Sequence, residues 1–257
     1  MIAAFNSYGA WTLLRKEVRR FMKVVGQTVL APMITSVLYL LVFDQVMRDR
    51  VEVYDGVAYT AFLIPGLMMM SVIQNAFANT SSSLIQSKIM GNLVLLLMTP
   101  LSSLEMFLAF VGAALLRGVL VAAGVYVVAI FFVPLPLEAA WAALLLLVLS
   151  SGCLAVLGII AGIVADKFEH LAAFQNFFIM PLSFLSGVFY SIHSLPPFWR
   201  EVSHYNPFFY MIDGFRYGFF GVGDASPLLS VAVVSGFFLA LSVICLAMLH
   251  TGYKLRP

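Results

Sequence analysis

Six apolar runs divide the chain, at residues 24–43, 57–79, 106–133, 137–165, 171–192 and 228–249. Each is about 20 residues or longer and almost free of charge, as a membrane-crossing helix requires. None shows the alternation of polar and apolar positions that a barrel strand needs. At 1.5 Å per residue the last run reaches ~33 Å, enough to cross a ~30 Å hydrocarbon core. A further helix is predicted ahead of them, over residues 1–23. Trp11, Leu14, Val18, Phe21 and Val25 recur at spacings of three and four, with Arg15, Lys16, Glu17, Arg19 and Arg20 in between. One apolar and one basic face predict a helix lying along the inner leaflet. The plainer alternative is a basic cluster that only sets topology.

Composition turns this pattern into a class. Hydrophobic residues make up 62% of the 257 and charged residues 10%, against about 45–50% and about 25% in soluble domains. So little polar surface cannot cover a soluble globule. The expectation is an all-α integral membrane protein with six transmembrane helices, formed as a single domain over residues 1–257. A net charge of +2, with no basic block interleaved with aromatics, gives no reason to expect nucleic acid as a partner. Cys153 and Cys245 sit inside apolar runs and read as buried small hydrophobes, not as a disulfide framework. The first apolar run is too long for the core of a cleavable signal.

Charge also orients the spans. With a cytoplasmic N-terminus, that side carries Arg15, Lys16, Arg19, Arg20, Lys23, Lys88, Lys167, Lys254 and Arg256, and the other side only Arg48, Arg50, Arg200 and Arg216. This positive-inside bias places both termini in the cytoplasm. Two connections are longer than topology needs, the inner segment 80–104 and the outer segment 193–227. By contrast residues 134–136 make a bare turn. Long loops beside short ones are where function is expected.

Several catalytic patterns are missing. There is no G-x-x-x-x-G-K-[ST] loop to cradle a nucleotide, no H-E-x-x-H, and no G-x-S-x-G elbow. His170, His193, His204 and His250 lie in separate segments without metal-ligand spacing. The expectation is a protein that is not an enzyme and holds no metal or cofactor itself. A lipid-processing enzyme should show clustered acids or histidines near one interface. A secondary transporter should show internal repeats and coupling acids in its spans. Neither pattern is present.

The most informative stretch runs from Pro181 to Arg216, PLSFLSGVFYSIHSLPPFWREVSHYNPFFYMIDGFR. Pro181 and Gly187 loosen the fifth run and free carbonyls that need other partners. Pro196 and Pro197 stop any helix, and Asn206–Pro207 marks a second break. Phe198, Trp199, Tyr205, Phe208, Phe209 and Tyr210 form an aromatic belt suited to an interface. Physics alone predicts short helices that dip into the outer leaflet without crossing it.

This stretch also resembles the signature of the ABC-2 family, the membrane subunits of type-2 ABC exporters: Pro181, then LSGVF, LP, NP, and the DGxR of Asp213 and Arg216. The segment N-x-x-x-L-x-x-x-P at Asn92, Leu96 and Pro100 resembles the family's cytoplasmic coupling segment. The likeness runs from ITSVLYLLVF at 34–43 through LIPGLMMMSVI at 63–73 to the last span, and points to bacterial inner-membrane permeases within the family. One departure is clear: Val94 and Leu95 stand where relatives carry acids after the equivalent of Asn92. The resemblance implies six helices per subunit, a homodimer of such subunits in the lipid bilayer, and two copies of a separate ATPase that binds the ATP and Mg. It implies no substrate; drugs, lipids and glycans are all open.

Candidate functional residues follow. For ATPase coupling the segment offers Leu84, Ile85 and Ile89 as apolar contacts, Gln86, Lys88 and Asn92 as polar ones at the rim, and Pro100 as its end. The missing acids at 94 and 95 predict docking by apolar burial. Arg117, mid-span, either faces a polar pathway or a neighbouring subunit, or bonds structural carbonyls. Gln74, Asn75, Gln175 and Asn176 either line a route in the second and fifth spans or glue helices together. Pro181, Gly187, Pro196, Asn206, Pro207, Asp213 and Arg216 are candidates for an outer gate, with Asp213 and Arg216 read as a local ion pair. Gly158 and Gly162 form a GxxxG, expected to serve packing within the chain.

Overall fold

The computed structural model describes residues 5–47, 52–54 and 57–255; Arg48, Arg50 and Arg256, used above for orientation, lie outside them. Helix α1 (Ser7–Met22) is capped by Asn6, whose side chain accepts from the Gly9 N–H at 2.9 Å. A π-helical turn, Gly26–Leu30, leads into α2 (Ala31–Met47), and a small antiparallel ribbon of β1 (Glu52–Tyr54) and β2 (Val57–Ala58) follows. Then come α3 (Tyr59–Ile89), α4 (Asn92–Leu97), α5 (Ser103–Ala129) and α6 (Ala140–Val164). The remaining helices are α7 (Phe168–Phe174), α8 (Met180–Phe184), α9 (Pro197–His204), α10 (Pro207–Phe220) and α11 (Pro227–Thr251). The protein is an all-α integral membrane protein. Five of its described helical stretches are long and apolar enough to cross a membrane: Gly26–Phe43, Tyr59–Ile89, Ser103–Ala129, Ala140–Val164 and Pro227–Thr251.

Helix α3 is the axis of the bundle. It packs against α6, α5, α10 and α2, and nearly every side chain from Tyr59 to Met70 is buried. Small residues let α6 come close: a Cβ on Gly158 would sit 2.5 Å from the Phe77 carbonyl oxygen, and one on Gly162 2.8 Å from Leu84. The GxxxG is thus filled from within the chain, as its sequence suggested. Thr80 adds a hydrogen bond across the same seam, its hydroxyl donating to the Ala155 carbonyl at 2.7 Å.

Two boundaries differ from the sequence reading. The second span was expected to give way to a loop at residue 80, but α3 runs on unbroken to Ile89, because 80–89 contains no Gly or Pro and keeps an apolar stripe, Leu84 and Ile85, against α6 and α7. The fifth run was expected to be helical to Ile192. Its helical stretch, residues 168–184, is ~25 Å long and stops three residues short of Gly187, whose φ of +73° only glycine adopts freely. Pro181 does not break it; a π turn at Gln175–Ile179 just upstream takes up a ring that has no N–H to give.

The basic N-terminal helix divides its predicted apolar face, with Phe21 against the bundle and Trp11 outside. Leu13, Glu17 and Phe21 are the buried positions, whereas Trp11 is 61% exposed. Its inward face packs along the first half of α5: Asn6 donates its N–H to the Glu105 carboxylate, and Leu14 lies beside Gly112. Glu105 also closes the capping box of α5 with Ser102.

Candidate functional site

Halfway along α5, Arg117 reaches across to α3. Its Nε and Nη2 donate to Asn75 Oδ1 at 3.2 and 2.8 Å, and its Nη1 to Asn79 Oδ1 at 3.4 Å. Asn79 is shared. Arg20 of α1 donates to its carbonyl oxygen at 2.5 Å and to its Oδ1 at 3.1 Å, and holds Ser82 at 3.2 Å. Arg20 is itself paired at 3.0 Å with the fully buried Glu17. A polar chain thus links α1, α3 and α5. A cation midway through a span is worth ~2.5–3.5 kcal/mol against insertion, so its hydrogen bonds offset a real cost.

Of these residues Arg117, Asn75 and Ser82 line an open groove of about 610 Å³ between α2, α3 and α5, together with Gln27, Thr35, Ser71 and Gln74. Gln74, Asn75 and Arg117 are therefore brought together. Gln175 and Asn176 are not: they lie on the π turn after α7, where Asn176, Phe177 and Phe178 are exposed and Phe174 stacks on Phe77 with ring centroids 5.6 Å apart.

At the α4 end of the bundle the segment 80–104 divides. Leu84 and Ile85 are buried, 3% and 0% exposed, so they serve the core and do not face outward. Leu93 is buried with them. Lys88 is committed as well: its ammonium donates to the carbonyls of Ile163 and Ala165 at 2.7 and 2.8 Å, and pairs with Asp166 at 3.5 Å. It therefore caps α6, which ends there with carbonyls that have no helical partner. What does face outward is Ile89, Met90, Val94, Leu95 and Met98, the last 77% exposed. Gly91, at φ +73°, turns α4 back from α3. Gln86 and Asn92 edge a neighbouring cleft with Lys16 and Arg20 of α1, and Pro100 is exposed. Of the apolar residues predicted for coupling Ile89 is exposed; Met90 and Met98, which the sequence did not single out, are exposed as well, and the Gly91 turn fixes which side of each helix is open.

The opposite end shows where the freed carbonyls of α8 go. Asn206 caps α10, accepting from the Phe208 N–H, and its Nδ2 donates to the Leu182 carbonyl at 2.8 Å and Ser186 Oγ at 2.9 Å. Ser203 reaches the Leu185 carbonyl at 3.3 Å, and Arg216 Nη2 the Gly187 carbonyl at 2.7 Å. Pro207 starts α10 and Pro196 precedes α9. The expected ion pair is loose: Arg216 Nη1 lies 4.0 Å from Asp213, whose oxygens accept the N–H groups of Asp224 and Ala225 at 2.9 Å each. Asp213 ties α10 to the start of α11 and Arg216 ties it to α8. Helix α10 itself is sunk between α3, α6 and α11, with Gly218 against Ala143 and Gly214 against Ser230.

Long apolar helices around a groove with polar walls, with apolar side chains exposed at one end, define a multi-pass membrane protein. Comparison with known proteins gives the particular kind. Residues 8–220 match the ABC-2 type transporter membrane family, and the chain belongs to it. It is 37% identical over 250 residues to the inner membrane transport permease YadH of Escherichia coli strain K12, across 96% of this chain and 98% of that protein. It is 23% identical over 222 residues to nodulation protein J of Rhizobium leguminosarum bv. viciae, across 86% and 85% respectively. The chain is a multi-pass transport permease of the bacterial inner membrane, a subunit that is not itself catalytic. Its family implies an ABC ATPase as partner.

Proposed function

We propose that this chain is the permease half of an ATP-driven exporter. Two copies enclose the cargo path and alternate its access as two copies of a separate ATPase hydrolyse ATP. In this reading the α4 end faces the cytoplasm together with both termini, the stretch 168–184 is the fifth of six crossings, and α9 and α10 close the outer side without crossing. Arg15, Lys16, Arg19 and Arg20 of α1 and Lys88 share the α4 end, which supports that orientation.

The observation that carries the coupling role is the corner of α3 and α4. Ile89, Met90, Val94, Leu95 and Met98 expose a contiguous apolar surface beside α1, at the end of the same helix whose Gln74 and Asn75 line the groove. An ATPase seated there would move α3 directly, and with no acids at 94 and 95 its hold would depend little on salt.

The test replaces Ile89, Leu95 and Met98 by Ser, and purifies the permease through a tag. Burying each such side chain contributes ~1.5–3 kcal/mol, so co-purification of the ATPase should fall at least ~100-fold, with export lost and the permease still folded in the membrane. The wild-type complex should have the mass of two permeases and two ATPases. Undiminished co-purification, or a complex with a single permease, would refute the reading. Ser at Ile85 or Leu93 would test folding instead, since both are buried.

A further inference from the structure

The groove between α2, α3 and α5 holds a cation without an anion. Among the described residues no carboxylate pairs with Arg117; Glu17 is taken by Arg20 and Lys16. Of the five N–H donors of a guanidinium, Asn75 and Asn79 engage three, which leaves one on each terminal nitrogen. The Gln74 Nε2 donor is buried at the same wall and has no hydrogen-bond partner. Arg117, with its two uncommitted N–H groups, and Gln74, with its unpartnered amide, thus share the wall of a groove of about 610 Å³. Its remaining wall is mixed, with Thr35 and Ser71 near the donors and Leu67, Met70 and Tyr39 beside them.

We infer that this groove binds the anionic head of an amphipathic molecule, a phosphate or carboxylate held by Arg117 and Gln74 with its apolar part along Leu67, Met70 and Tyr39. A guanidinium presents paired donors that fit two oxygens of such a head. The groove is only partly enclosed, so an attached chain can extend out of it. The inference rests on the permease reading only for the occupant's being cargo; the site itself stands on its donors.

The experiment uses the full-length protein in mixed micelles containing equal amounts of phosphatidylglycerol and phosphatidylcholine, with retained lipid counted by native mass spectrometry. Wild type should retain phosphatidylglycerol selectively. Arg117→Gln should weaken that retention by about tenfold or more, as loss of one charge-assisted contact implies, while Arg117→Lys should keep part of it. Thr35→Trp, which fills the groove from α2 without touching the partners of Arg117, should block it too, and Arg200→Gln should change nothing. Equal retention by wild type, Arg117→Gln and Thr35→Trp would overturn the inference. So would displacement of the lipid by millimolar inorganic phosphate, which would show a free anion as the occupant. No ATPase enters the assay, so its failure leaves the permease reading standing, and failed ATPase co-purification leaves this site standing.

Discussion

Replacing Arg216 by Met tests whether the DGxR residues act as two separate ties or as one ion pair. Arg216 is 1% exposed, donates to the Gly187 carbonyl at 2.7 Å, and sets its guanidinium carbon 3.8 Å from the Phe62 ring centroid. The charge-assisted hydrogen bond contributes ~1.5–3 kcal/mol and the desolvated cation–π contact up to ~2 kcal/mol. Methionine restores apolar contact with Phe62 but leaves the Gly187 oxygen without its donor. Losing one partner of a buried pair usually costs ~3–5 kcal/mol. Here the loss should sit near ~3 kcal/mol, because Asp213 keeps both backbone N–H donors, from Asp224 and Ala225. The assay is denaturant unfolding in detergent micelles of wild type, Arg216→Met, Asp213→Asn and the double variant. Because 4.0 Å is the outer limit of an ion pair and each charge has its own backbone partners, the coupling energy of the cycle should lie at the low end for residues in contact, ~0.5–1 kcal/mol. A coupling of ~3 kcal/mol, or an Arg216→Met protein as stable as wild type, would refute the two-tie account.

Gly158→Ala should cost ~1–3 kcal/mol or more, since the new methyl meets the Phe77 carbonyl oxygen at 2.5 Å and also Thr80; unfolding in micelles reads it, and a neutral result would mean that α3 and α6 can separate freely. Asp166 sits between Lys254 and Lys88, and these two cations, Lys254 foremost, hold its carboxyl below the usual carboxylate range. Because the folded value is depressed, its stabilising effect is present at neutral pH and fades only as pH falls through and below about 4. The melting temperature of Asp166→Asn should therefore lie below that of wild type at pH 7, and the difference should shrink as pH falls below the usual carboxylate range; a gap that instead widens in acid would contradict the assignment.

Much of this architecture is legible in the sequence because the membrane leaves few choices: a long charge-free run must be helical and must satisfy its own backbone. The bundle and the GxxxG packing follow from that. The breaks at Gly187 and Asn206–Pro207 are visible as residue types, but their partners are not. Nothing local says that Asn206 caps Leu182, or that Arg216, besides pairing with Asp213, reaches the Gly187 carbonyl. Which of the candidate coupling residues are exposed is illegible for a similar reason. Leu84, Ile85 and Ile89 share one stripe on a helical wheel, and only the place where α6 and α7 stop decides which of them stay covered. Lys88 looked like a rim contact because sequence cannot show that α6 ends beside it with bare carbonyls.

The two ends of α3 are held by different physics. Near Gly66 the helix lies against the backbone of Val188, so closely that a Cβ there would sit 2.9 Å from its carbonyl oxygen, with Arg216 packed over Phe62 one turn away. Those contacts are buried and directional, and they leave no room for sliding. At the other end Lys88, Lys254 and Asp166 make contacts that are partly or largely exposed, which water and salt can replace at little cost. Between them, Asn79 accepts from both Arg20 and Arg117, so a shift of α3 can trade one donor for the other without leaving its oxygen bare. In the proposed cycle α3 would tilt about its Gly66 end together with α6, which Gly158, Gly162 and Thr80 hold against it. From Gly66 to Ile89 is ~35 Å, over which a tilt of about 10° displaces the far end by ~6 Å, roughly one helical turn. That is the scale on which a docking surface at Ile89 could open or close the groove beside Gln74 while the Gly66 end stays sealed.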